Sequence, residues 1–245
     1  MELDGHTVIV VGGTSGIGHG LARRLVDAGS TVVVGGRTTV EGLESVYVDV
    51  TDQDSVVRAR DEVLASHPDL DVVVTMSGVM LTEDLRDPSH IESAETTVAV
   101  NLLGTIRVID AFTPHLMARG SGEIVTVGSG IAFVPFPLMP TYGASKAGVH
   151  SYTESLRAQL TGTGIAVTEL IPPAVATTPA QLELNPAALS LDDYLDEALR
   201  LLTADPAPPQ VVVERAQRLR WAERDGTYSD LLERRSQVLN TLPER

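Results

Sequence analysis

Thr7 to Val11 is an unbroken β-branched run that passes directly into Gly12-Gly13-Thr14-Ser15-Gly16-Ile17-Gly18. Continuous β-branched residues, without polar alternation, suit a strand buried on both faces, as in a parallel sheet. A helical pattern follows, with Ile17, Leu21, Leu25 and Val26 on one face. Strand, glycine loop and helix start, in that order, aim unpaired N–H groups and the positive end of the helix dipole at whatever fills the loop, which favours an anion such as a pyrophosphate. The spacing is Gly-x-x-x-Gly-x-Gly rather than the commoner Gly-x-Gly-x-x-Gly. A merely tight strand-to-helix turn is the competing account.

The rest of the chain repeats the theme. Thr31 to Val34 is a second β-branched strand, ending at Gly35-Gly36-Arg37. In dinucleotide folds this tip meets the adenosine ribose, where a carboxylate bonds a 2′-hydroxyl and a basic residue accepts a 2′-phosphate. With Arg37 there and no acid, NADP(H) is favoured over NAD(H). Only Thr38 to Glu44 separates this strand from the next, Ser45 to Val50, which is too short for the usual crossover helix. Seven extended residues still span ~23 Å, so the strands can remain parallel with that helix absent. An acid-rich helix start at Thr51-Asp52-Gln53-Asp54 runs toward Pro68. Leu70 to Thr75 is a fourth strand, leaving through Ser77-Gly78, and Pro88 to Arg119 is a long helical stretch with Asn101 near its middle. Asparagine is a poor helix former; it marks either a local kink or a distortion that faces the site. Glu123 to Val127 is a fifth strand, delivering Gly128-Ser129-Gly130 at its carboxyl end, where open parallel sheets hold ligands. A helix to about Thr161, a sixth strand at Ile165 to Ile171, a segment at 178–204 with a helix at Leu191 to Leu202, a last strand at Val211 to Val213 and a helical tail at about 214–240 complete the chain.

Ser129 is followed thirteen positions later by Tyr142-Gly143-Ala144-Ser145-Lys146. Residues four apart share a helix face, so Tyr142 and Lys146 point the same way. A free phenol titrates near ~10; a neighbouring ammonium is expected to lower that value and make Tyr142 a general acid and base. Alone, Tyr-x-x-x-Lys usually marks a solvated helix face.

Composition narrows the partners. The 33 acidic against 18 basic residues give a formal charge of -15, which repels nucleic acid and anionic membrane surfaces. No apolar run reaches the ~20 residues needed to span a bilayer, the start Met1-Glu2-Leu3-Asp4 is not basic, and cysteine is absent. A single cytoplasmic domain over 1–245 is expected, with a small-molecule substrate and no metal.

In order and spacing, Gly12-x-x-x-Gly16-x-Gly18, Asp49-Val50, Asn101, Ser129 and Tyr142-x-x-x-Lys146 resemble the short-chain dehydrogenase/reductase family over nearly the whole chain. The resemblance implies a Rossmann-type α/β fold: a doubly wound parallel sheet of six to seven strands, in the order 3-2-1-4-5-6-7, with helices on both faces. It implies a catalytic set of Asn101, Ser129, Tyr142 and Lys146. Tyr142 exchanges the proton, Ser129 bonds the substrate oxygen, Lys146 tunes the phenol and holds the nicotinamide ribose, and the Asn101 carbonyl anchors a water leading to Lys146. Cofactor contacts are implied at Gly12, Thr14, Ser15, Gly16, Ile17, Gly18, Arg37, Asp49, Val50, Ser77, Gly78, Tyr142, Lys146, Pro172, Val175 and Thr177. Three positions depart from the family: Val11 for threonine, Thr75-Met76-Ser77-Gly78 for Asn-Asn-Ala-Gly, and Pro173 for glycine. The first two are expected to alter buried hydrogen bonding rather than the chemistry. The implied function is NADP-dependent interconversion of a ketone or aldehyde with an alcohol. Its rivals are a non-redox step at the same tyrosine, or binding of NADP without turnover. Phe133, Phe136, Leu138 and Met139, with no arginine or lysine within Gly128 to Thr141, predict an uncharged, fairly apolar substrate beneath a lid at 178–204. The apolar faces of the Asn101 and Tyr142 helices predict a homodimer or homotetramer.

Overall fold

A computed structural model describes residues 3–204 and 206–242; Met1 and Glu2 of the non-basic start lie outside the described residues. Its strands are β1 (Thr7–Val11), β2 (Thr31–Gly36), β3 (Glu44–Tyr47), β4 (Val72–Thr75), β5 (Gly122–Val127), β6 (Ile165–Ile171), β7 (Val175–Ala176), β8 (Leu189–Ser190) and β9 (Gln210–Val212). The helices are α1 (Gly16–Asp27), α2 (Gln53–Ser66), α3 (Ile91–Val98), α4 (Gly104–Arg119), α5 (Pro140–Gln159), α6 (Pro179–Leu184), α7 (Leu191–Leu202), α8 (Glu214–Arg220) and α9 (Tyr228–Ser236). Seven strands form one sheet in the order β3-β2-β1-β4-β5-β6-β9, with every neighbouring pair parallel. This is the expected order, β9 being its seventh strand.

Because successive strand residues face opposite sides, the β-branched run of β1 feeds two cores at once. Val8 and Val10 join Leu21 and Leu25 of α1 and Tyr194, Leu195 and Ala198 of α7 on one side. Ile9 and Val11 join Val56 of α2 and Val108, Ile109 and Phe112 of α4 on the other. Neither side of the strand meets solvent, and that is why no polar alternation was present to read.

The link between β2 and β3 contains no helix, as expected. Arg23 of α1 donates to the Glu41 carbonyl at 2.8 Å, and the Ser45 hydroxyl bridges Val40 N and Leu43 O. β3 ends at Tyr47, earlier than the expected Val50. Asp49 has left the ladder: its N–H donates to Ser55 Oγ at 3.0 Å, and its carboxylate folds back on Thr51. α2 then starts on Asp52, whose carboxylate accepts Asp54 N–H at 2.9 Å in an ordinary N-cap.

The long helical stretch of 88–119 is broken where Asn101 stands. Ala99–Leu103 is a π-helical turn between α3 and α4. Gly104 lets this turn close on Val50, since a Cβ there would collide with the valine side chain. Arg107 reaches back to Val50 O at 3.1 Å and Ala99 O at 3.5 Å, supplying donors where the helix ladder is displaced.

Candidate active site

The carboxyl ends of β1, β2, β4, β5 and β6 open into one cleft of about 1400 Å³. Gly12 at the end of β1 has φ +92° and lies against the Met76–Ser77 backbone, so a side chain there has neither an easy conformation nor space. α1 begins with no side-chain cap from Ser15 and no acid in its first turn. Its first N–H groups and its dipole therefore face the cleft uncompensated by any side chain, an arrangement that fits the phosphates of a dinucleotide.

Around this loop the structure gathers the residues singled out in the sequence. Gly12, Thr14, Ser15, Gly16, Ile17 and Gly18 line one wall, and Arg37, Asp49 and Val50 the β2–β3 end. Ser77 and Gly78 lie beyond β4, Ser129, Tyr142 and Lys146 beyond β5, and Pro172, Val175 and Thr177 beyond β6. Arg37 is exposed. Asp49 accepts both Thr51 hydrogen bonds on Oδ1, and these, the hydroxyl foremost, hold its carboxyl below the usual range. Thr177 gives its N–H and hydroxyl to Gln181 Oε1, both at 2.8 Å.

Asn101 does not line the cleft; it is fully buried beneath it. Its Oδ1 accepts Val79 N–H at 2.8 Å, while Nδ2 donates to Val79 O at 2.9 Å and Ser145 Oγ at 3.1 Å. Ser145 Oγ donates in turn to Tyr142 O at 2.8 Å. The side chain thus ties the 77–79 segment to the first turn of α5. Its backbone carbonyl accepts the Thr105 hydroxyl at 2.8 Å.

Pro140 at the start of α5 pre-sets the helical turn that carries Tyr142. Lys146 is 5% exposed, and its Nζ donates to Val127 O at 2.8 Å. Burial lowers its pKa to about 8, against the opposing pull of the Glu169 carboxylate. Glu169 is itself fully buried. Its Oε2 meets His150 Nδ1 at 2.7 Å, while Oε1 has no hydrogen-bond partner among the described residues.

The expectation that Lys146 lowers the phenol's pKa is not met. Burial pushes Tyr142 upward, and only the Ser129 hydrogen bond acts downward. The ammonium lies 5.9 Å from the ring centroid and is directed to the Val127 carbonyl, so desolvation of the phenolate wins.

Two other expectations change. Of the aromatic and aliphatic residues expected to form an apolar substrate wall, only Met139 lines the cleft, alongside Ile131 and Leu219; Phe133 lies under the Arg220 guanidinium and Phe136 near that of Arg235. Of the expected lid, Gln181, Leu184, Asn185 and Ala188 reach the cleft, whereas α7 buries Tyr194, Leu195, Ala198, Leu199 and Leu202 in the core. The rim is therefore confined to about 178–190. The departures at Val11 and Met76 leave no orphaned polar atom of their own: Met76 N–H donates to Val11 O at 2.7 Å, and the Met76 side chain packs beside Gly18. Arg235, on α9, lines the cleft and was missed. Nothing local to its sequence signals this position.

A parallel sheet in this order, with a glycine loop and an uncapped helix start at its first strand, defines a Rossmann-type α/β protein. The chain belongs to the short-chain dehydrogenase family, whose pattern matches residues 6–188. It is 32% identical over 189 residues to an uncharacterized oxidoreductase of Bacillus subtilis, DltE, covering 72% of this chain and 74% of that protein. It is likewise 32% identical over 178 residues to sulfoacetaldehyde reductase 2 of Chromohalobacter salexigens, covering 67% of this chain and 71% of that one. Among solved structures, a short-chain dehydrogenase of Burkholderia cenocepacia in complex with NADP superposes with a TM-score of 0.81 at 24% identity, covering 95% of this chain and 99% of that chain. The protein is thus an oxidoreductase of the short-chain dehydrogenase/reductase family.

Proposed function

We propose that this protein is an NADP-dependent reductase interconverting an aldehyde or ketone with an alcohol. The observation that carries this reading is the convergence of Ser129, Tyr142 and buried Lys146 on the same cleft as the uncapped α1 start. The glycine loop and helix start suit the pyrophosphate, Arg37 the 2′-phosphate, Asp49 and Val50 the adenine end, and Ser77, Gly78, Pro172, Val175 and Thr177 the nicotinamide half. Held by those residues, a nicotinamide cofactor would supply the hydride chemistry.

The residues of the chain do the rest. A phenol pushed upward by burial stays protonated across the neutral range, which suits a proton donor to the oxygen of a carbonyl being reduced. Ser129, which lines the same cleft as the phenol, is placed to orient that oxygen with it. With its pKa near 8, Lys146 is mostly charged at pH 7, and its ammonium supports a ribose hydroxyl and the phenolate left after proton transfer. Asn101 acts at one remove, holding the 77–79 segment and the Tyr142 turn in mutual register. Its carbonyl, as a water anchor leading to Lys146, belongs to the same proposal.

The name of the Chromohalobacter relative, an aldehyde reductase, supports the carbonyl class. A cytoplasmic homo-oligomer completes the proposal: Leu103 and Met117 are exposed on the Asn101 turn and α4, while no described helix is long and apolar enough to cross a membrane.

The test is a carbonyl panel with NADPH, followed by nicotinamide absorbance, using wild type and Tyr142→Phe. Turnover is expected in the wild type, falling ~10²-fold or more in the variant with NADPH binding retained. A confirmed substrate turned over at full rate by Tyr142→Phe refutes the assignment. Conversion without net change in absorbance favours a non-redox step instead.

A further inference from the structure

α8 and α9 sit against the loop that joins Ser129 to Tyr142. Val134 of that loop is buried with Leu219 and Ala222, and Tyr228, Leu231 and Leu232 pack around them. This seating brings Arg235 to the wall of the cleft that Ile131, Met139 and Leu219 also line. Its Nη1 donates to Val134 O at 2.9 Å, and its guanidinium carbon is 5.3 Å from the Phe136 ring centroid. Loop and aromatic ring together hold the group in place.

What the group lacks is an acid. The chain has 33 acidic residues to 18 basic ones, and Arg24, Arg60, Arg86, Arg157 and Arg224 each form an ion pair with a carboxylate. Arg235 forms none among the described residues; burial, and after it the charge of another cation, Arg218, lowers its pKa. A half-buried guanidinium next to a second cation, with most of its five N–H donors uncommitted and a large cleft in front of it, matches a planar or tetrahedral oxyanion. The other two cationic side chains lining the cleft, Arg37 and Lys146, are accounted for by the cofactor and the reacting centre.

We propose that Arg235 is the specificity residue of the cleft, binding a carboxylate or sulfonate carried by the substrate at the end away from its carbonyl. This rests on the reading of the site as a carbonyl reductase, and it replaces the uncharged substrate expected from residues 128–141. A neutral aldehyde leaves the guanidinium desolvated and unmatched, whereas an anionic one gains a charge-assisted, two-point contact. The contact also fixes which end of the substrate faces Tyr142.

The experiment compares 4-oxobutanoate and 2-oxoethanesulfonate with methyl 4-oxobutanoate and butanal as substrates, using NADPH with wild type, Arg235→Gln and Arg235→Lys. The wild type is expected to favour the anions in kcat/KM by about tenfold or more, and Arg235→Gln to cut that ratio about tenfold, mainly through KM. Arg235→Lys should keep part of the preference, having the charge without the fork. The two anions distinguish carboxylate from sulfonate recognition. Calorimetric titration of the NADPH complex with butanoate, propanesulfonate and butanamide needs no turnover. The anions should bind, the amide should not, and Arg235→Gln should lose the difference. Equal ratios in the wild type, an unchanged ratio in a variant whose melting curve shows it folded, or no anion binding overturns the proposal. If Arg235→Gln does not fold, the wild-type ratio and the Arg235→Lys ratio decide. Failure of the reductase reading looks different: no carbonyl is consumed with NADPH, yet the calorimetric anion site remains.

Discussion

Replacing Lys146 with methionine is expected to stabilise the fold at neutral pH while disabling the site. Burial lowers the Lys146 pKa from 10.5 to about 8. At ~1.36 kcal/mol per pH unit, that gap means the ammonium is ~3 kcal/mol less favourable in the folded chain than in the unfolded one. Below about pH 8 both states hold the proton and the whole penalty is present. Between about 8 and 10.5 the unfolded chain binds a proton that the folded chain has released, so wild-type stability rises with pH across that window. Methionine fills similar space without charge, but forfeits the 2.8 Å bond to Val127 O, worth ~1 kcal/mol. The net gain at pH 7 is ~2 kcal/mol, equivalent to a rise of roughly 4 to 8 °C in melting temperature for a chain of this size. By pH 10.5 the sign should reverse, the wild type being ahead by ~1 kcal/mol. Urea titrations of cofactor-free wild type and Lys146→Met at pH 7 and pH 10.5, at one protein concentration, measure both ends. A variant less stable than wild type at pH 7, or a difference that does not move with pH, refutes the reasoning.

Glu169→Gln removes the carboxylate that raises the Lys146 pKa, so the basic limb of the turnover-against-pH profile should shift down from about 8; an unmoved limb means Glu169 has no electrostatic role there. Arg37→Ala should narrow the preference for NADPH over NADH about tenfold, from the loss of one charge-assisted contact; cofactor titrations that leave the ratio unchanged count against the 2′-phosphate assignment. Asn101→Ala strips three hydrogen bonds and leaves the Val79 N–H and carbonyl without those partners, so a loss of ~3 kcal/mol is expected; a thermal melt within ~2 °C of wild type shows the bonds to be dispensable. Sedimentation at micromolar concentration should give a mass above the 26.0 kDa of one chain, and a monomer excludes the proposed assembly.

Legibility in this sequence follows the range of the forces involved. The buried strands and the glycine loop were readable because each rests on a few neighbouring residues, a β-branched run with no polar alternation and a turn that excludes a side chain at Gly12, whereas the strand order pairs distant segments and came only through the family resemblance. The missing second crossover helix was readable by length alone. Asn101 was visible as an anomaly in a helix, but not as the centre of a π turn. That form depends on Gly104 meeting Val50 and on Arg107 reaching Val50 O, contacts made with a loop more than fifty positions upstream, as well as on Arg107 reaching Ala99 O within the turn.

The electrostatics were less readable, since the sign of a pKa shift depends on which of two opposed effects prevails. Tyr142 and Lys146 do share a helix face, and from spacing alone the ammonium ought to favour the phenolate. Depth reverses the outcome: the amine is turned to Val127 O, the phenol is desolvated, and burial raises one value and lowers the other. Arg235 illustrates the limit of local reading. It lies 101 positions from the carbonyl it binds, Val134 O, on a helix with no buried residue of its own. Its place is set by Leu219 and Ala222 closing over Val134, with Leu231 and Leu232 following. Absence of cations in 128–141 therefore said nothing about the charge of the finished cleft. In an α/β fold of this kind the strand ends fix where chemistry occurs, whereas the tail docked on the β5–α5 loop fixes what is admitted to it, and only the first of these is written in contiguous residues.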